Sequence, residues 1–179
     1  MLYKVKLKNA DDVVLMDEQV YEYLTQDPYM VEIDLINNLR RHSSGCAVFQ
    51  KTKKVKDGYK TETIYLHKQI AEHFLGDTKT KEKKLVGARN GNKLDCRLEN
   101  IEYRSRATAS RKRKTSSKAG YTGVYKEGPR YRAVISIDGK SKHLGMFDTP
   151  EEAAMEYNKY SKKHYGDEGK QNIIVQDED

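Results

Sequence analysis

Apolar and basic residues alternate over LYKVKLK at the start of the chain, a period of two that predicts a half-exposed strand. A helix-prone stretch follows around Asp17 to Leu24. Between Tyr29 and Leu39 the apolar positions Met30, Ile33, Leu35 and Ile36 fit a helix or a strand equally, and periodicity leaves both open. Gly45 to Gln50 reads as a strand entering a lysine-rich hairpin, with Asp57-Gly58 as its turn and TETIYLH as the returning strand. KQIAEHFL then reads as a short helix that ends at Gly76 as its C-cap. Asp77 to Lys84 is expected as charged loop, Leu85-Val86 as strand and Asn90-Gly91-Asn92 as a tight turn.

From Gly120 the punctuation sharpens. YTGVYKE, YRAVISI and KHLGMF predict three short strands separated by EGPR and by Asp138-Gly139-Lys140, the latter a strong hairpin signal. A helix is expected from Thr149-Pro150-Glu151-Glu152: Thr149 suits the N-cap, Pro150 the first helical turn, and the two acids the positive end of the helix dipole. Ala153, Ala154 and Tyr157 recur at helical spacing, and the small alanines allow close approach to a sheet. In the second strand Tyr131, Ala133, Ile135 and Ile137 share one parity, and Arg132, Val134 and Ser136 the other. The apolar set is expected to meet the helix. The opposite face is expected to stay open, flanked by Tyr125, Lys126, Arg130, Lys142 and His143.

Composition adds that any core must be modest and tyrosine-rich, since 179 residues carry 13 Tyr, 3 Phe and no Trp, with 34% charged residues. Two small domains fit this length better than one large core. The net charge of +7 is concentrated: Arg104, Arg106, Arg111, Lys112, Arg113, Lys114 and Lys118 fall between Tyr103 and Lys118 with no acid among them. Such a run gathers phosphate by counterion release whatever the base sequence; the plainer alternative is a solvated linker. Cys46 and Cys96 have no metal-type spacing, so no zinc site or disulfide framework is indicated and a reducing compartment fits. The N-terminus MLYKVKLKNADD carries charges where a signal peptide needs an apolar run, so the expectation is a soluble intracellular protein.

The C-terminal motifs taken in order carry a resemblance. Gly123-Val124, Tyr131 to Ile135, Leu144-Gly145, Phe147-Asp148-Thr149, Glu151 to Ala154 and Tyr157-Asn158 resemble the plant ethylene-response-factor (Apetala-two) DNA-binding domain, and more closely its bacterial and phage relatives. The resemblance implies a DNA-reading sheet supported by one helix. Plant members place arginine and tryptophan on the reading face, where this chain has Thr122, Tyr125, Val134, Ser136, Ser141 and His143, so their target sequence does not carry over. Arg130 and Arg132 are the leading candidates for base or phosphate contact, because an arginine fork suits guanine edges and phosphate oxygens alike.

Upstream, YLHKQIAEHFLG and LVGARNGNKLDCRLENIEYRSR are similar to the HNH endonucleases of homing and phage origin. The resemblance implies a metal ion and a histidine base at the positions of Gly87 and Ala88, and an oxygen-donating Asn at Cys96. Neither Gly87 nor Ala88 has a functional side chain, and a thiol is a poor ligand for magnesium. His67, Asn90, Asn92 and Asn100 keep polar groups there, with His67 read as structural. An offset alignment would use His73 or His42 instead, but neither has a neighbouring carboxylate pattern to orient it as a base. Lys81, Lys83, Lys84, Arg89 and Lys93 are plausible phosphate contacts.

The expected fold class is therefore α+β: an HNH-like ββα domain over 1–103, a basic linker over 104–118, an Apetala-two-like domain with a three-stranded antiparallel sheet packed on one helix over 119–173, and an acidic tail over 174–179. The expected function is sequence-selective binding of double-stranded DNA, as a transcriptional regulator derived from a homing endonuclease that lost catalysis. No metal, cofactor, membrane or small-molecule substrate is expected. The alternatives left open are an active HNH-type nicking endonuclease with atypical ligands and an RNA-binding or protein-interaction adaptor.

Overall fold

The computed structural model describes residues 1–113 and 115–174. It is an α+β protein of small antiparallel sheets, and the chain divides into two units, Met1–Arg106 and Ala107–Asp179. Unit 2 thus begins inside the stretch expected as linker. Lys114 and most of the acidic tail lie outside the described residues.

In unit 1, β1 (Leu2–Lys6) pairs with β2 (Val13–Asp17), a strand absent from the expectation because VVLM does not alternate. Helix α1 (Glu18–Gln26) follows directly. The ambiguous 29–39 segment is helical: α2 (Pro28–Glu32) is capped by Asp27, whose carboxylate accepts from Tyr29 N and Met30 N, and a 3-10 turn covers Ile36–Asn38. Strand β3 (Arg40–Arg41) pairs with β4 (Ala47–Val55), which pairs with β5 (Gly58–Tyr65). Val55 opposes Gly58, so the hairpin loop is Lys56-Asp57, one residue earlier than expected.

Helix α3 (Leu66–Phe74) ends on Leu75, whose N–H bonds the Ala71 carbonyl; Gly76 starts a 3-10 turn rather than capping the helix. Strands β6 (Lys83–Ala88) and β7 (Ile101–Ser105) form the last hairpin, so Lys83 and Lys84 belong to a strand. Val14, Met16, Val20, Leu24, Leu35, Leu39, Leu66 and Ile70 are fully buried and form the centre of one core, which Phe49 of β4 and Ile101 of β7 join.

Helix α4 (Arg106–Arg111) starts at the boundary. Unit 2 is an antiparallel sheet ordered β10-β9-β8, from β8 (Val124–Glu127), β9 (Arg130–Ile137) and β10 (Lys140–Phe147). Asp138 and Gly139 form the two-residue β9–β10 loop with φ of 50° and 77°, the left-handed pair that a type I′ hairpin requires. Helix α5 (Pro150–Tyr165) opens with the expected cap, completed by Glu152: Thr149 Oγ1 accepts from Glu152 N while the Glu152 carboxylate accepts from Thr149 N. Val124 and Ala133 meet Ala153 and Ala154 in a small core, and these small side chains let α5 lie close on the sheet.

Gly123 is set by that closeness. Its φ is 76°, and a side chain there would collide with the Tyr157 ring and the Val134 carbonyl. Past α5 the chain returns: Ser161 Oγ donates to the Lys170 carbonyl at 2.7 Å, and Asn172 bonds both Asn158 and Thr122.

Candidate nucleic-acid interface

The two faces of the β8–β10 sheet follow from its register. Val124 opposes Ala133, and both are buried beneath α5; one step along, Tyr125 opposes Arg132, and both are exposed. On β10, His143 opposes Val134, Ser141 opposes Ser136 and Met146 opposes Arg132. The uncovered face therefore gathers Tyr125, Arg130, Arg132, Val134, Ser136, Ser141 and His143. Lys126 and Lys142 depart from the expectation. They share the parity of Tyr131 and Ile135, on the helix side, and Lys142 Nζ sits 4.9 Å from the centre of the Tyr160 ring of α5. Thr122 is half-buried, with its hydroxyl oxygen buried and its backbone N–H held by Asn172 Oδ1 at 2.7 Å, so it does not add to the exposed face.

The two arginines differ. Arg132 lies with its guanidinium 5.9 Å from the Tyr125 ring centre, and its Nε is 3.4 Å from Glu127. That exposed pairing is weak, and both partners stay in water. Arg130, at the end of the ladder, is tied back: its Nε donates to Asp148 at 3.0 Å and its Nη2 to the Met146 carbonyl at 2.9 Å. It braces the corner between β10 and α5.

No protein-family model matches the chain, and no curated protein matches it.

The basic run before the sheet is partly built into unit 2. Thr108 is buried and donates to Glu168 at 2.8 Å, Arg111 Nη2 lies 3.3 Å from the same carboxylate, and the Arg111 guanidinium stacks 4.3 Å over the Tyr165 ring. Arg111 is thus an internal brace rather than a solvated phosphate contact. Lys112 is half-buried and Arg113 exposed.

In unit 1 the nuclease-like positions lie on the β6–β7 hairpin and α3. Gly87 is buried, and the Arg104 guanidinium of β7 fills the space where a Gly87 side chain would project. Arg104, expected to open the linker, is therefore a strand residue with its head across the hairpin. Ala88 follows at the strand end, opposite Ile101.

The loop beyond closes on itself. Asn90 N donates to Asn100 Oδ1 at 2.9 Å, Asn90 Nδ2 to Asp95 Oδ2 at 2.9 Å, and Asn100 Nδ2 to the Asp95 carbonyl at 2.7 Å. Asn92 Oδ1 accepts from Leu94 N. The amides that the resemblance places near a metal are spent holding this loop.

Asp95, which motif reading missed, is its centre. Its side chain is 2% exposed and takes two bonds of 2.8 Å from Arg97, which foremost hold its carboxyl below the usual carboxylate range. Only an acid between Leu94 and Cys96, in an apolar-flanked position, hinted at it. Leu94 to Cys96 also run along β2, with Leu15 N bonded to the Leu94 carbonyl and Cys96 N to the Leu15 carbonyl, which buries Cys96. Burial pushes that thiol up to about 12, so it is a neutral packing group.

His67 sits in the first turn of α3. Burial, with Lys68, Lys93 and Arg104 nearby, lowers its pKa to about 4, so the ring is neutral at physiological pH. His73 stacks on Tyr23 at 3.7 Å, and His42 Nδ1 is 2.8 Å from Ser44 Oγ; both are engaged in local packing. Among the suggested phosphate contacts, Arg89 pairs with Glu102 at 3.5 Å and Lys93 donates to the Ser44 carbonyl at 2.7 Å, while Lys81 and Lys84 are exposed. Among the described residues, no helix is long and apolar enough to cross a membrane.

Proposed function

We propose that this protein binds duplex DNA sequence-selectively, with the uncovered face of β8–β10 reading the major groove, and that it serves as a transcriptional regulator. The carrying observation is the segregation of the sheet: α5 covers one face, burying Ala153 and Ala154 against it, while the other presents Tyr125, Arg132, Ser136, Ser141 and His143. A ribbon of strands fits a groove about 12 Å wide. Arginine forks suit guanine or phosphate, and serine hydroxyls donate or accept as the base edge demands.

The same reading makes unit 1 a nuclease-like scaffold without catalysis. Phosphodiester hydrolysis by the HNH route needs a general base and a divalent ion at the scissile phosphate. Gly87 and Ala88 offer neither, Cys96 is a buried neutral thiol, and Asn90 and Asn100 are committed to their loop.

The test is selection of bound sequences from a random duplex pool at stated salt, with wild type and Arg132→Ala, followed by incubation of the selected duplexes with magnesium and manganese. A defined motif that the variant loses, without cutting, supports the proposal. Metal-dependent cleavage that persists through purification and vanishes with one substitution would make the protein a nicking enzyme instead.

A further inference from the structure

The β4–β5 hairpin extends beyond the body of unit 1. Phe49 and Ile64 are the last opposed pair packed into the core, and every residue from Gln50 to Glu62 is exposed. Six further ladder pairs, Gln50 with Thr63 to Val55 with Gly58, make a two-stranded ribbon of about 20 Å. Such a ribbon with neither face covered is marginal in water by itself. Its charges add to that cost. Lys53 and Lys60 stand directly opposite each other, while Glu62, paired across the ladder with Lys51, lies 3.8 Å from Lys53. From Lys51 to Glu62 there are five lysines against Asp57 and Glu62. Near the tip, the Tyr59 ring is 76% exposed, opposite Lys54.

We infer that this ribbon is a DNA-binding arm, a second contact separate from the sheet of unit 2, which enters a groove of the duplex and sets its lysines on the flanking phosphates. The inference rests on the reading above for the class of partner only. Polyanionic backbone relieves the Lys53/Lys60 repulsion that the arm carries alone, and a two-stranded ribbon fits the B-form major groove. The narrow major groove of A-form RNA does not admit it. Tyr59 supplies a flat surface against sugar and base edges at the arm's end.

The test uses the full chain and a selected duplex, with affinity measured across a salt series for wild type, Lys53→Gln/Lys60→Gln, Lys53→Glu/Lys60→Glu and Arg132→Ala, each checked for unchanged thermal unfolding. The Glu pair retains the guard that edge charges give against strand aggregation, so it separates that role from binding. Expected is roughly tenfold weaker binding for the Gln pair, a salt slope shallower by about 2, and an unchanged sequence motif. The Glu pair should weaken binding further. Affinity and slope equal to wild type in both pairs overturn the arm, as does equal, arm-dependent binding to A-form duplex RNA. Loss in the arm pairs with no change in Arg132→Ala keeps the arm and removes the sheet as reader. Wild type that binds no duplex DNA removes both.

Discussion

Asn158 and Asn172 hold each other side chain to main chain in both directions: Asn158 Nδ2 donates to the Asn172 carbonyl at 2.8 Å, and Asn172 N donates to Asn158 Oδ1 at 2.6 Å. The Asn172 side chain repeats this exchange with Thr122, accepting from its N–H at 2.7 Å and donating to its carbonyl at 3.1 Å. The segment after α5 thereby clasps the helix to the chain entering β8. Asn172→Ala strips both bonds from the half-buried Thr122 peptide and is expected to destabilise unit 2 by about 1–3 kcal/mol, read by thermal or urea unfolding. Asn158→Ala should cost a similar amount, and the double variant less than the sum, because both act on one clasp.

Gly123→Ala is predicted to cost more, about 3 kcal/mol or above. Positive φ and the wall formed by Tyr157 and the Val134 carbonyl both oppose a methyl group there. Hydrogen exchange confined to residues beyond Ala107 would locate the damage; wild-type stability in this variant would contradict the packing.

Arg130 and Arg132 are predicted to separate stability from recognition. Arg130→Ala removes the tie to Asp148 and the Met146 carbonyl and should lower unit 2 stability by about 0.5–1 kcal/mol. Arg132→Ala should leave unfolding unchanged while weakening DNA binding and altering the selected motif. Equal effects of both on unfolding would refute this division.

Acid should unfold unit 1 in two windows. His67 is neutral in the folded protein, with a pKa of about 4 against 6.5 for the exposed side chain. The unfolded chain therefore takes up more protons between these values, and stability falls as pH drops from about 6.5 to 4, on the order of 3 kcal/mol at most. Asp95 has a depressed pKa, so its contribution is present above the normal carboxylate value of 3.8 and is lost as pH falls below it. His67→Phe should flatten the upper window and leave the lower one. Asp95→Ala should destabilise unit 1 by about 2–3 kcal/mol at neutral pH, and Asp95→Asn by less, since one acceptor for Arg97 remains.

Unit 2 was the more legible because its signals are local. Asp138-Gly139 fixes the β9–β10 register, Thr149 and Pro150 start α5, and the parity of Ala133 and Ile135 names the buried face. Parity also held the answer for Lys126, two residues from the buried Val124, and for Lys142, placed opposite Ile135 by the two-residue turn. Composition drew both lysines to the wrong face. Asp27-Pro28 was an available helix-start signal for the ambiguous segment after it. By contrast, the Asn158–Asn172 clasp, the Arg104 head over Gly87 and the Leu15–Cys96 ladder join residues far apart in sequence, where no spacing rule applies. The residues of the uncovered sheet face were reachable from pattern; the groups that brace them were not.

The chain's two cysteines, Cys46 and Cys96, are both reduced and buried, and both lie in unit 1. Thiol reagents reach only thiolates in contact with water, so labelling at neutral pH must wait for unit 1 to open. The protein thus carries its own chemical clock for one half of the chain: the modification rate reports opening of unit 1 while unit 2, which has no cysteine, stays silent. Added DNA that slows this clock in wild type but not in an arm variant would register binding at unit 1 without any added label on the duplex.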